Sequence, residues 1–227
     1  MTRWSRMCAQ RRPSSRRDGA VPAVLHGLVE TMANRRPTGE WHLQLDGRAA
    51  TGAPLIEIVE TFLDAFPYAG FSKIELYPGE EADERAWSVA DGPDALEVFA
   101  ANGYGFDATL DLTLFWQPDD EEPREATLPE SAELLFTRDV PTVTLTLWPN
   151  LFTDALRLPE RVPAATPTPR YVSELVVWPA AAARNRARLE ASLRRWERAS
   201  GGTIEHWIAD RVEPIGRYGF PASAEPR

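Results

Sequence analysis

The chain has 227 residues, a formal net charge of −9, a hydrophobic fraction of 43% and one cysteine. This is the composition of a soluble globular protein. No run reaches the roughly 18 consecutive apolar residues that a membrane-spanning helix needs. A single cysteine also excludes an intramolecular disulfide and a zinc site built from several thiolates.

The first 31 residues differ from the rest of the chain. They carry six arginines against Asp18 and Glu30, a net charge of +4, so the remaining 196 residues carry −13. A secretion signal needs about 7–15 uninterrupted apolar residues, whereas residues 20–29 contain a proline, a histidine and a glycine. We therefore predict that residues 1–38 are a disordered basic tail, with Met32 as an alternative start, and that a chain beginning at Met32 melts like the full chain.

The charge of residues 32–227, which we call the body, limits the partners that the protein can have. A strongly acidic body opposes docking on phosphates, so nucleic-acid binding is not predicted. Arginine outnumbers lysine 24 to 1, which is typical of a GC-rich, bacterial genome and does not by itself define a basic patch. Without an export signal or a membrane span, the expected location is the cytoplasm.

Regular hydrophobic periodicity begins near residue 41 and predicts an α+β fold. Alternating or apolar runs predict strands at residues 41–46, 71–77, 109–116, 133–137, 142–148, 171–178 and 203–209. Apolar residues at helical spacing predict helices at residues 54–66, 94–101 and 180–200. We predict a single domain over residues 39–220, with a mainly antiparallel sheet of six to seven strands. Two larger helices and one short helix cover one face, and a C-terminal tail follows at residues 221–227.

Two segments are predicted as loops outside the core. Residues 117–130 hold six carboxylates against Arg124 alone, and residues 159–170 hold four prolines. Charge-rich and proline-rich stretches of this kind rarely form core elements.

The motifs that would name a reaction are missing from the sequence. There is no phosphate-binding glycine loop and no Gly-x-Ser-x-Gly elbow, and Cys8 lies in the basic tail. The body has two histidines, His42 and His206, each beside a tryptophan on a predicted strand. Such histidines are most often structural, although they would bind a metal if their strands were neighbours. We predict no catalytic residue, no cofactor and no metal site.

The predicted binding site lies beside Trp116. This tryptophan stands just before a run of four carboxylates: Asp119, Asp120, Glu121 and Glu122. An aromatic side chain supplies desolvated contact area, and neighbouring acids steer the encounter with a cationic surface. The sequence therefore predicts a non-catalytic acidic protein that binds a basic protein partner, of the same type as the immunity proteins of bacterial toxin systems.

Two alternatives stay open at this point. Trp116, Trp148 and Trp178 end three predicted strands, and together they would line a cleft for a small molecule or a substrate, with one histidine as general base. A homo-oligomer formed through an exposed sheet edge is also compatible with the sequence.

Overall fold

The computed structural model describes residues 25, 37–47, 55–77, 85–88, 105–117, 121–152, 155–161, 171–209 and 215–221. The two helices in these ranges are α1 (Leu55–Ala65) and α2 (Pro179–Ser200). The strands are β1 (Gly39–Gln44), β2 (Ala69–Tyr77), β3 (Arg85–Ser88), β4 (Gly105–Trp116), β5 (Arg124–Thr137), β6 (Val140–Leu147), β7 (Ala155–Arg161), β8 (Tyr171–Val177) and β9 (Thr203–Ile208).

Seven of the strands form one sheet in the order β3-β2-β4-β5-β6-β1-β9, and β7 and β8 form a separate pair. Every described pairing is antiparallel. The predicted α+β class, the antiparallel sheet and the two larger helices are confirmed.

Several predicted boundaries were wrong. Residues 124–130, predicted as loop, begin β5, because pairing with β4 satisfies their backbone while their acidic side chains stay exposed. Residues 159–161, predicted as loop, belong to β7, and β8 pairs with β7 rather than with the large sheet. The strand β3 was not predicted. The short helix expected at residues 94–101 lies outside the described residues.

The helices pack on the apolar face of the sheet. Buried and partly exposed residues alternate along β1, which places Trp41 and Leu43 in the core. The same alternation recurs along β4, β5 and β6. Phe62 of α1 meets Trp196 of α2 edge to face, with ring centroids 5.6 Å apart. Burying a large side chain of this kind contributes roughly 1.5–3 kcal/mol, so the aromatic contacts between the helices help to fix them over the sheet.

A buried amide joins α2 to the edge of β4. The pairing of β2 with β4 stops at Leu112, so Phe115 has no β2 partner. The fully buried Asn185 of α2 accepts the Phe115 N–H at 2.8 Å and donates to the Phe115 carbonyl at 2.8 Å. Its amide also donates to the Leu151 carbonyl at 2.9 Å. One side chain thus takes the place of a neighbouring strand.

A carboxylate holds the junction between α2 and β9. Gly201 adopts the left-handed conformation (φ 69°) and ends the helix, as a residue without a Cβ does most easily. Glu197 then accepts the backbone N–H of Ile204 at 2.8 Å and the hydroxyl of Tyr218 at 2.6 Å, and it pairs with Arg217. The C-terminal segment is therefore tied to the edge strand through one acid.

The core also includes residues from the predicted basic tail. Leu25 is fully buried in the same apolar cluster as the sheet and helices. Thr38 donates its N–H to the Leu147 carbonyl and its hydroxyl to the Trp148 carbonyl, both at 2.7 Å. Packing therefore reaches into the segment that composition marked as a tail.

The burial of Leu25 leads to an expectation for a shortened chain that differs from the one drawn from composition. We expect Leu25→Ala to lower the free energy of unfolding by about 2–4 kcal/mol, because it leaves a cavity in the core. A chain that starts at Met32 loses the same contacts and melts at a lower temperature. Thermal unfolding followed by circular dichroism measures both, with Val140→Ala as an exposed aliphatic control. Equal melting temperatures for the full and shortened chains would contradict the burial of Leu25.

Candidate functional site

The described residues among those predicted to bind a partner are Trp116, Glu121 and Glu122, at the end of the β4–β5 ribbon. Trp116 is half-buried, and its ring centroid is 6.2 Å from that of Trp178, at the start of α2. Glu121 and Glu122 are exposed, whereas Asp119 and Asp120 lie outside the described residues. The structure therefore brings an aromatic pair and at least two of the predicted carboxylates to one end of the ribbon.

Arginines of α2 and β5 pair with the carboxylates at this end. Glu122 lies 3.0 Å from a guanidinium nitrogen of Arg184, and Glu125 lies 2.6 Å from one of Arg188. Glu121 pairs with Arg124. These three pairs balance the local charge among the described residues, although exposed ion pairs of this kind contribute little stability.

A second acidic surface lies on the face of the sheet opposite the helices. Glu75 of β2 stands directly across from Asp107 of β4, and both are partly exposed. Burial raises the pKa of Asp107 above its usual value, and the nearby charge of Glu75 raises it further. Like charges at directly opposite positions destabilise a sheet, and the nearby Lys73 offsets part of this repulsion.

A β-bulge adds two more carboxylates to this surface. The register shifts between Leu110 and Leu112, and Asp111 accepts the backbone N–H of Glu130 at 2.8 Å. Burial raises the pKa of Asp111 and the charge of Glu130 adds to this, while hydrogen bonds from the Glu130 N–H and Ser72 act in the opposite direction. Asp111 thus both shapes the bulge and contributes charge.

The only lysine of the chain lies within this group. Lys73 forms an ion pair with Glu75, and the hydrogen bond to Glu75 raises the pKa of Lys73, with Asp107 and Glu130 adding to the rise. We call Lys73, Glu75, Asp107, Asp111 and Glu130 the acidic patch; fully ionised, its net charge is −3. The sequence showed the polar face of β4 but not the register that sets Glu75 against Asp107.

The two histidines of the body meet on the same face of the sheet. His42 of β1 pairs in register with His206 of β9, and their ring centroids are 5.2 Å apart. The His42 Nε2 atom lies 2.6 Å from a carboxylate oxygen of Glu40, without the alignment of a hydrogen bond, and its Nδ1 atom lies 3.3 Å from the Thr144 hydroxyl. An imidazole and a carboxylate therefore come together, as general-base chemistry would need, on a sheet face.

One described cleft lies between the helices and the sheet. It encloses about 70 Å³, and Leu45, Ile58 and Trp196 are among the side chains that line it. Neither histidine lines this cleft, and neither do Trp116, Trp148 and Trp178. The aromatic-lined cleft with a histidine base, the alternative predicted from sequence, therefore does not correspond to this cavity.

In the described ranges, no group of three or more histidine, cysteine, aspartate or glutamate side chains is arranged to hold a metal ion. No described helix is long and apolar enough to cross a membrane. Comparison of the chain with family models, curated proteins and solved structures gives no match.

Proposed function

We propose that this protein is a non-catalytic, acidic cytoplasmic protein that binds a basic protein partner, in the manner of an immunity or inhibitor protein. The observation that carries the proposal is the register pair of Glu75 and Asp107, two partly exposed carboxylates directly opposite each other on the sheet face away from the helices. Keeping like charges together costs stability. Lys73 pairs with Glu75 and offsets part of that cost. A lysine or arginine of a partner placed beside Asp107 offsets more of it and gains an ion pair.

The body charge of −13 supports the same function, because a field of one sign accelerates the encounter with a protein of opposite charge. Trp116 and the carboxylates at residues 119–122 form the second contact region in this proposal. Trp116 ends β4, the strand that also carries Asp107 and Asp111. In this arrangement the acidic patch supplies charge, and the half-buried Trp116 supplies apolar contact area.

The test compares two variants that lose the same charge in different places. Glu75→Gln with Asp107→Asn removes two carboxylates from the acidic patch, and Glu57→Gln with Glu190→Gln removes two exposed carboxylates from the helices. Each is titrated calorimetrically with the basic proteins encoded by neighbouring genes, and with an oligo-arginine peptide as a charge-only probe. We expect the patch variant to bind the cognate basic protein at least about tenfold more weakly, the effect of losing about 1.4 kcal/mol.

The control variant should bind within about twofold of the unmodified protein, because charges outside the interface act mainly through long-range steering. Changing residues 119–122 to serine tests the second contact region separately. Equal losses of affinity in the patch and control variants would show that binding depends only on net charge, which would contradict the proposal. Failure of every neighbouring basic protein to bind would contradict the proposed partner class. Asp107→Asn should also raise stability near neutral pH, so a loss of binding is not a loss of fold.

A further inference from the structure

His42 and His206 lie on the sheet face opposite the helices, and the proposed partner-binding surface does not include them. The body of the chain contains only two histidines, and the pairing of β1 with β9 brings them face to face. His206 is exposed and His42 is partly buried. Nothing in the packing of the core requires these two side chains to meet.

The spacing of the rings matches that of two ligands on one ion. A nitrogen ligand lies about 2.0–2.1 Å from zinc. Two imidazoles on one ion, at angles between about 90° and 110°, therefore have ring centroids about 4.5–5.2 Å apart. The observed centroid distance is 5.2 Å, so the backbone already holds the two rings at a coordinating distance.

The two ring nitrogens of His42 lie on opposite sides of its Cβ–Cγ axis. Its Nδ1 atom faces Thr144 of β6, the strand on the other side of β1 from β9. Nε2 therefore lies on the side of the ring that faces β9 and His206, without a turn of the ring. Nδ1 keeps its contact with the Thr144 hydroxyl at 3.3 Å, and Nε2 makes no hydrogen bond.

We propose that His42 and His206 bind one divalent transition-metal ion of the nickel, copper or zinc class, each through one imidazole nitrogen. Imidazole suits these ions, whereas magnesium and calcium prefer oxygen ligands. Water fills the other positions, because no third protein ligand is already in place among the described residues. The carboxylate of Glu40, beside His42 on the same face, adds a favourable negative charge.

The experiment is a calorimetric titration of the full chain with Ni²⁺, Cu²⁺ and Zn²⁺ in a non-chelating buffer. We expect one ion per chain for at least one of them, with no competition from Mg²⁺. His206→Gln should weaken binding at least tenfold, because one of two protein ligands is lost. His26→Gln is the matched control, since His26 is the remaining histidine of the chain; it should bind like the unmodified protein.

Nuclear magnetic resonance gives an independent readout. Substoichiometric Cu²⁺ should broaden the ring signals of His42 and His206 together and leave that of His26 sharp. The exposed His206 can be replaced without disturbing the core, so its variant decides the question even where His42→Gln unfolds. Absence of binding heat for all three ions would overturn the proposal, and so would binding that survives in His206→Gln but disappears in His26→Gln.

Discussion

Replacing Asn185 with alanine is expected to lower the free energy of unfolding by about 3 kcal/mol. The change removes three hydrogen bonds at once, two to Phe115 and one to Leu151. The backbone groups that remain are buried at Leu151 and partly buried at Phe115, and an unsatisfied buried polar group costs about 1–3 kcal/mol. β4 has no β2 partner at Phe115. The substitution therefore also loosens the contact between α2 and the sheet.

Urea unfolding followed by far-ultraviolet circular dichroism measures this effect. Glu190→Ala, at an exposed position of the same helix, is the control; it removes only the ion pair with Arg194, which is worth about 0.3–0.5 kcal/mol. Asn185→Asp keeps an acceptor for the Phe115 N–H but loses both donor bonds, so it should also be strongly destabilising. A stability of Asn185→Ala within about 0.5 kcal/mol of the unmodified protein would contradict the edge-capping role.

Replacing Glu197 with alanine should cost about 2 kcal/mol at neutral pH, because three donors lose their acceptor. Burial acts to raise the pKa of Glu197, but hydrogen bonds from Arg217, Tyr218 and the Ile204 N–H outweigh it, and the pKa lies below its usual value of 4.5. The ionised carboxylate therefore stabilises the fold above the unfolded-state pKa. This contribution is lost as the pH falls through the lower, folded-state pKa.

The predicted signature is a stability difference that depends on pH. The gap between the unmodified protein and Glu197→Ala should be constant near neutral pH and shrink below about pH 4.5. Chemical unfolding at a series of pH values measures the gap, with Glu205→Gln as a control at an exposed acid on β9. A gap that stays constant down to strongly acidic pH would mean that the charge of Glu197 does not contribute.

Local sequence patterns predicted the elements that depend on local chemistry. The apolar spacing in α1 and α2 and the alternation in β1, β4 and β6 were read correctly. These patterns reflect one buried face per element, which is visible along the chain itself. The start of β5 was missed because its acidic residues resemble a loop when they are considered without the partner strand. Pairing with β4 overrides that local preference.

The candidate sites could not be derived in the same way because they depend on register. The opposition of Glu75 to Asp107 requires β2 to pair with β4, and the contact of His42 with His206 requires β9 to return beside β1. The sequence identified both histidines and named neighbouring strands as the condition for a metal site. It gave no means to decide whether the condition holds. Asn185 was likewise hidden, since a helical asparagine carries no sign that it caps a distant strand.

Zero-length carbodiimide cross-linking of the protein to a basic partner that it captures tests the central claim most directly. This chemistry joins a carboxylate to a partner lysine only where the two touch, and mass spectrometry then identifies the joined residues. We predict cross-links at Glu75, Asp107 or Glu130 of the acidic patch, and at residues 119–122 beside Trp116. Cross-links confined to the carboxylates of α1 and α2, such as Glu57 and Glu190, would contradict the assignment of this face as the binding surface.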